Sequence, residues 1–239
     1  GDGSGTIRLT LTKNEGTVMR KSSIVVKNVV ANEDDAQVER EIVVKQAYKI
    51  TPVRVLMNAE ELSLWKSDWT NTPAVIKDLG LQFNAKARLN RSMPFGSYTF
   101  HWSAITQNDG ADATVRVRHW LCFSEGCELK ADIRPGDGKV SYDFNVAGDG
   151  NKPSLDGYTD LDFAQPVEIT YKFDPSGASH CHVTYYVNGV ESGSFDTSET
   201  MLRTVTWGAS INMYIGVDNE NSGSAVLEWY EYTAPMNWE

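Results

Sequence analysis

In GCELKADIRP, residues 126 to 135, the apolar Leu129, Ala131 and Ile133 alternate with Glu128, Lys130 and Asp132. Successive side chains of an extended strand point to opposite faces, so this pattern turns an apolar side to a core and a charged side to water. The same period of two recurs along most of the chain. It predicts strands at TIRLTLT, SSIVVKNVV, REIVVKQA, GLQFNAKARL, GSYTFHW, ATVRVRHWLCF, CELKADI, KVSYDFNV, VEITYKF, HVTYYV, GVESGSF, INMYIGV and AVLEWYEY. Clusters of Gly, Asp, Asn, Ser and Pro separate them, which predicts an all-β sandwich. Asn188-Gly189 predicts a type I′ hairpin turn, because both central residues of that turn need positive φ. The one helix signal is NAEELSLWK, with Asn58 as its cap and Glu61 three positions on. Its length suits a decoration on the sheets.

The character of the chain changes between Ala47 and Pro52. A Val/Ile-rich segment with many Lys and Glu gives way to an aromatic-rich one, and Trp65, Trp69, Trp102, Trp120, Trp207, Trp229 and Trp238 all follow it. The expected organisation is a small β module over residues 1–48 and a larger β domain over 52–239, a size that 239 residues accommodate.

Lysine and arginine total 22 against 32 acidic residues, a formal charge of -10. That balance repels nucleic acid and anionic membranes at long range, so nucleic acid is not an expected partner. No run approaches the roughly 20 apolar residues of a bilayer crossing, and no charged-then-apolar signal opens the chain. The leading GDGSG reads as a flexible linker. The three cysteines, Cys122, Cys127 and Cys181, are too odd in number for a complete disulfide framework. CFSEGC leaves a small disulfide loop open, with Cys122 and Cys127 at a hairpin tip. Cys181 alternates with Val183, Tyr185 and Val187 and reads as a small core residue.

Two resemblances sharpen the fold. TIRLTLTKNEG, VMRKSSIVVKN and EREIVVKQA resemble the second half of the Bacteroidetes-associated carbohydrate-binding often N-terminal domain, an immunoglobulin-like sandwich; Asn14, Arg20 and Gln46 match its recurrent Asn, Arg and Gln. The resemblance implies an exported lipoprotein at the surface or in the periplasm of a glycan-degrading bacterium, with a lipid anchor upstream of this chain. The larger domain is similar to concanavalin A-like lectin and glucanase jelly rolls through HVTYYVNGVESGSF, the closing VLEWYEYTAP and the early FGSYTFHWSA. The expected fold is therefore a two-sheet, concanavalin A-like jelly roll preceded by a small immunoglobulin-like module.

In the laminarinase-like hydrolases of this resembled fold, the catalytic strand reads Glu-x-Asp-x-Glu, the outer pair acting as nucleophile and acid/base. Here the frame survives as Glu128, Lys130 and Asp132, with a lysine in the middle and a shorter final acid. A lysine between two carboxylates favours their ionised forms, whereas a general acid must hold its proton. Shortening one acid also widens a gap that retaining chemistry needs at about 5 to 5.5 Å. The plain alternative is a solvated ladder of exposed charge.

Ligand binding is favoured by the preceding strand, where Arg116, Arg118 and Trp120 alternate with Val115 and Val117. A one-residue bulge near the loop keeps the faces in phase and sets Trp120 near Glu128, Arg118 near Lys130 and Arg116 near Asp132. Aromatic faces carry the C–H surfaces of sugars and forked polar groups bind their hydroxyls. The expected ligand-binding residues are thus His101, Arg116, Arg118, Trp120, Glu128, Lys130 and Asp132.

A lyase would use a cation on a uronate carboxylate and a proton-moving His or Tyr, a casting open to Arg118, Lys130 and His101. The Arg-Ser/Thr-Glu-Leu-Arg and Gln-Ile/Val-His motifs of jelly-roll alginate lyases do not occur. His180 and His182 share a strand face but show no third metal ligand, and surface histidines are the better reading. Asp149, Asp156, Asp160 and Asp162 supply oxygen ligands suited to calcium without its loop pattern, so they read as turn acids. No cofactor is expected, with calcium left open. The sequence points to non-catalytic recognition of a polysaccharide or oligosaccharide, ahead of a hydrolase or lyase of the same fold and of a structural or adhesive module.

Overall fold

A computed structural model of the chain describes residues 8–12, 20–27, 39–46, 52–67, 74–76, 80–94, 96–124, 127–146, 154–158, 161–174, 182–196, 210–219 and 221–233. The chain divides into two compact units, residues 1–51 with 235–239, and residues 52–234.

In the first unit Arg20–Lys27 pairs antiparallel with Glu39–Gln46, Arg20 opposite Gln46 and Lys27 opposite Glu39. Among the described residues these two strands pair only with each other. Arg8–Thr12, expected as strand, carries none, and Asn14 lies outside the described residues. A two-stranded ladder is common to many β modules, so it does not by itself establish an immunoglobulin-like sandwich.

The second unit is a sandwich of two antiparallel sheets. The first runs, edge to edge, Ser154–Tyr158, Lys139–Val146, Cys127–Arg134, Val117–Ser124, Ser210–Val217, Lys86–Leu89 and Trp65–Ser67, with Met93–Pro94 also pairing Ser210–Val217. The second runs Val190–Asp196, His182–Val187, Val167–Asp174, Ser97–Gln107, Gly223–Thr233, Gly80–Phe83 and Ala74–Ile76, with Val53–Leu56 also on Gly223–Thr233. Five of these strands escaped the alternation pattern: Val53–Leu56, Trp65–Ser67, Ala74–Ile76, Met93–Pro94 and Ser154–Tyr158. All are short, and all lie at an edge or beside the main path of a sheet.

GLQFNAKARL, expected as one strand, is two strands in opposite sheets, Gly80–Phe83 and Lys86–Leu89. Leu81, Phe83, Ala85, Ala87 and Leu89 are all buried. The alternation therefore runs unbroken through the crossover, because both sheets face the same core. At that crossover the Ala85 carbonyl passes Gly216, whose φ is +121° and where an added Cβ would lie 2.4 Å from the Ala85 oxygen. Only glycine fits there.

Leu81, Phe83, Tyr98, Phe100, Trp102, Val117, Leu121, Ile133, Tyr171, Tyr185, Ile215 and Tyr230 fill the space between the sheets. His119 lies among them with about 1% of its surface exposed. Its Nε2 accepts the Trp102 indole N–H at 2.8 Å and its Nδ1 lies 2.5 Å from the Tyr171 hydroxyl. Since an indole N–H can only donate, Nε2 is the unprotonated nitrogen and Nδ1–H faces Tyr171. Burial lowers the His119 pKa to about 3. One side chain of the first sheet is thus tied to two strands of the second.

The helix is Ala59–Leu62, with the Asn58 side chain accepting the N–H groups of Glu60 and Glu61 at 2.9 and 3.1 Å. Glu61 turns inward onto Arg91 at 2.9 Å, and Arg91 also donates to the Tyr230 hydroxyl. Asn188 and Gly189 have φ of 49° and 76°, the expected hairpin turn.

Candidate functional site

The hairpin of Val117–Ser124 and Cys127–Arg134 carries five of the seven expected site residues, and Arg116 immediately precedes it. Val115, Val117, Leu129, Ala131 and Ile133 point into the core. Arg116, Arg118, Trp120, Glu128, Lys130 and Asp132 therefore share the outer face of the first sheet. The expected bulge is present between Cys122 and Ser124, but the pairing differs from expectation by two residues: Arg118 faces Asp132, Trp120 faces Lys130 and Cys122 faces Glu128. A two-residue shift leaves every side chain on its own face, so alternation alone cannot detect it.

Trp120 is half-buried on this face and stacks on Tyr214 of the neighbouring strand, with centroids 4.8 Å apart and planes 29° apart. Its Nε1 donates to Glu128 Oε2 at 2.7 Å. The other Glu128 oxygen takes Lys130 Nζ, and that ammonium also lies 4.9 Å from the centre of the Trp120 ring. Glu128 is thus held from two sides. Arg88, 5.8 Å from the Tyr214 ring, donates to Asn212 at 3.1 Å and extends the polar surface beyond the aromatic pair.

Asp132 is more enclosed, with 8% of its side chain exposed. Arg118 grips it through two parallel bonds, Nε to Oδ1 at 2.7 Å and Nη2 to Oδ2 at 2.8 Å. The third Arg118 nitrogen, Nη1, reaches Asp218 Oδ2 at 3.1 Å. Asp218 also takes Lys86 Nζ at 2.6 Å. Burial pushes the Asp218 carboxyl up, but the Lys86 hydrogen bond and the charges of Arg118, Lys86 and Arg116 outweigh it and hold it below the usual carboxylate range. Arg116 and Arg134 stand at the rim of this cluster, 3.8 and 3.6 Å from Asp132 Oδ2.

No protein-family model matches the chain, and no curated protein matches it by sequence. Solved structures do. A Crh5 transglycosylase superposes with a TM-score of 0.55 at 12% identity, over 78% of this chain and 85% of its own. A β-1,3-1,4-glucanase (lichenase) from a mouse hindgut metagenome superposes with a TM-score of 0.54 at 12% identity, over 78% of this chain and 100% of its own. The large unit has the jelly-roll fold of these proteins. At such identity the likeness establishes the fold alone.

His101 does not join the other six residues of this jelly roll. It lies on Ser97–Gln107 of the second sheet and points outward, stacked on Trp229 with centroids 4.9 Å apart and planes 6° apart. Glu168 and Glu228 flank its ring at 3.8 and 3.6 Å. The core separates it from Arg118 and Lys130, because outward positions on two packed sheets face opposite directions. A lyase site built from those three residues is ruled out by this placement.

Sequence reasoning missed Arg134, Tyr214, Asp218, Lys86, Arg88 and Asn212 on the same face. Arg134 was within reach, being the next alternate position after Asp132. The others lie on or directly after Ser210–Val217, which pairs with Val117–Ser124, and on Lys86–Leu89, which pairs with Ser210–Val217; both are long-range pairings that local alternation does not encode. Cys122 is a free thiol facing Glu128 rather than Cys127, which pairs with Ser124. Burial and the Glu128 charge push its pKa up to about 12. Cys181 and His180 lie outside the described residues.

No group of three or more potential metal ligands occurs among the described residues. His182 pairs instead with Asp196 at 2.7 Å. Asp162 caps its own turn, accepting the Ala164 N–H at 3.0 Å, while Asp149 and Asp160 and the Asp156 side chain lie outside the description. Among the described residues no helix is long and apolar enough to cross a membrane.

Proposed function

We propose that the outer face of the first sheet recognises a polysaccharide without cleaving it. The observation that carries this reading is the state of the two acids in the Glu128, Lys130, Asp132 row. Hydrolysis by a carboxylate pair needs one acid free to pass a proton and another free to attack or to activate water. Here Glu128 is held by Lys130 and Trp120, and Asp132 by a bidentate guanidinium. Trp120 and Tyr214 supply aromatic surface beside them, the kind of surface on which sugar rings stack. Lys130 lies over the Trp120 ring and edges the platform with a charge bound to Glu128.

The competing reading is a carbohydrate-active enzyme, favoured by the likeness of the large unit to a transglycosylase and a glucanase. The setting that accompanies the binding reading is an exported lipoprotein at the bacterial surface or in the periplasm, supported by the resemblance of the N-terminal segment. A glycan array combined with reducing-sugar and unsaturated-uronate assays separates the two. The expected result is retention of a glycan with no new chain ends, and Trp120→Ala should weaken that retention by about 1 to 3 kcal/mol with the fold intact. Release of reducing or unsaturated ends by the wild-type protein would refute it.

A further inference from the structure

We infer that the Arg116 and Arg134 end of this face is an anion subsite, and that the glycan recognised is an acidic one, carrying carboxylate or sulfate. The inference rests on the recognition reading above and names its ligand class. Three guanidiniums converge on one oxygen, Asp132 Oδ2, yet only Arg118 hydrogen-bonds to it, at 2.8 Å. Arg134 Nη2 stops at 3.6 Å and Arg116 Nε at 3.8 Å, while Arg116 Nη1 stops 3.6 Å from Asp218. These are ion-pair distances, too long for hydrogen bonds. Arg134 Nε is buried and has no hydrogen-bond acceptor among the described residues. A buried donor without an acceptor is costly, and a ligand oxygen that supplies one is correspondingly favoured.

Charge points the same way. Lys86, Arg116, Arg118 and Arg134 outnumber the three carboxylates that act on them, Asp132, Asp218 and the more distant Asp143, so the cluster carries excess positive charge in a chain of net -10. Asp132 and Asp218 are also the more buried members, at 8% and 13% side-chain exposure against 31% for Arg116 and 30% for Arg134. The acids therefore lie beneath and the two arginines reach nearer the surface, while Arg134 Nε itself is enclosed. Planar guanidinium donors match the paired oxygens of a carboxylate or sulfate. Trp120 stands four residues from Arg116 on the same face, about 13 Å along the strand. A chain of sugars that stacks at Trp120 can thus place an acidic unit on the arginines.

The test uses the whole chain in affinity gel electrophoresis with a neutral β-1,3-glucan, polygalacturonate and a sulfated galactan. The expected result is retention by at least one acidic glycan, with carboxylate and sulfate distinguished by which gel retards the protein. Arg116→Gln with Arg134→Gln should weaken that retention at least tenfold, whereas Arg54→Gln on the opposite sheet should leave it unchanged. If the double variant does not fold, as judged by circular dichroism, the single Arg116→Lys and Arg134→Lys variants are compared; they keep the charge, lose the fork, and should weaken retention at least threefold. Retention by the neutral glucan alone overturns the inference and leaves glycan recognition standing. Equal losses in the Arg54 variant, or an unchanged double variant, also overturn it. No retention by any glycan overturns both.

Discussion

Protonation of His119 should make the protein's stability fall steeply in mild acid. The imidazole is enclosed between the sheets, accepts from Trp102 at 2.8 Å and faces Tyr171 at 2.5 Å, and burial lowers its pKa to about 3. In the unfolded chain the same group titrates near 6.5, so the unfolded state binds the proton first as pH falls. The neutral imidazole's contribution is therefore complete above about pH 6.5 and is lost progressively from there toward pH 3. Each pH unit in that window is worth about 1.4 kcal/mol, so pH 4.5 removes about 2 to 3 kcal/mol, a large share of the roughly 5 to 15 kcal/mol typical of a domain. Urea unfolding at pH 7.5 and pH 4.5 measures this directly. His119→Gln keeps an acceptor for the indole but cannot titrate. Its stability should be lower at pH 7.5, yet its loss between the two pH values should be smaller than that of the wild type by about 2 to 3 kcal/mol. Surface carboxylates are common to both proteins and cancel in the comparison. Equal losses in the two proteins would refute a buried, neutral His119.

Three further outcomes follow from the same geometry. Arg118→Ala strips the bidentate partner from the enclosed Asp132 and should cost about 2 to 4 kcal/mol in urea unfolding, set somewhat below a fully buried pair because Arg118 keeps 20% of its side chain exposed; a loss under about 0.5 kcal/mol would show the pair to behave as a surface one. Cys122, with its pKa raised to about 12 by burial and by Glu128, should react with iodoacetamide at pH 8 far more slowly in the native protein than in urea, and rapid native labelling of Cys122 would contradict the enclosure. Gly216→Ala should destabilise by at least about 2 kcal/mol, since its φ of +121° and the Ala85 carbonyl leave no room for a Cβ; a neutral change would mean the crossover does not pass so close.

How far the sequence could be read depended on whether a feature was local. The buried faces of Ser97–Gln107, Cys127–Arg134 and Val167–Asp174, the Asn188-Gly189 turn and the Asn58 cap are decided by residues within a few positions of one another, and each is present. The crossover inside GLQFNAKARL was invisible because an odd-numbered apolar row stays inside on both sheets. His101 was grouped with the arginines because it is an outward polar residue on an alternating strand, and alternation does not say which sheet a strand joins. Tyr214 and Asp218 belong to the site through the pairing of Ser210–Val217 with Val117–Ser124, far away in sequence.

The row Glu128, Lys130, Asp132 also shows why a catalytic strand cannot be judged on its own residues. Seen alone, its departures from Glu-x-Asp-x-Glu are one lysine and one missing methylene, changes that two substitutions would reverse. Seen with its neighbours, Asp132 is embedded among Arg116, Arg118 and Arg134, with Arg118 bonded in turn to Asp218. A longer acid at 132 would still meet the same guanidiniums, and an acid at 130 would leave Glu128 without its ammonium partner while placing like charges together. Those partners come from three other positions of the alternating face and from a strand brought alongside by the fold. The arrangement is therefore a surface organised around paired charge and aromatic contact, held together by partners that the strand's own sequence does not name.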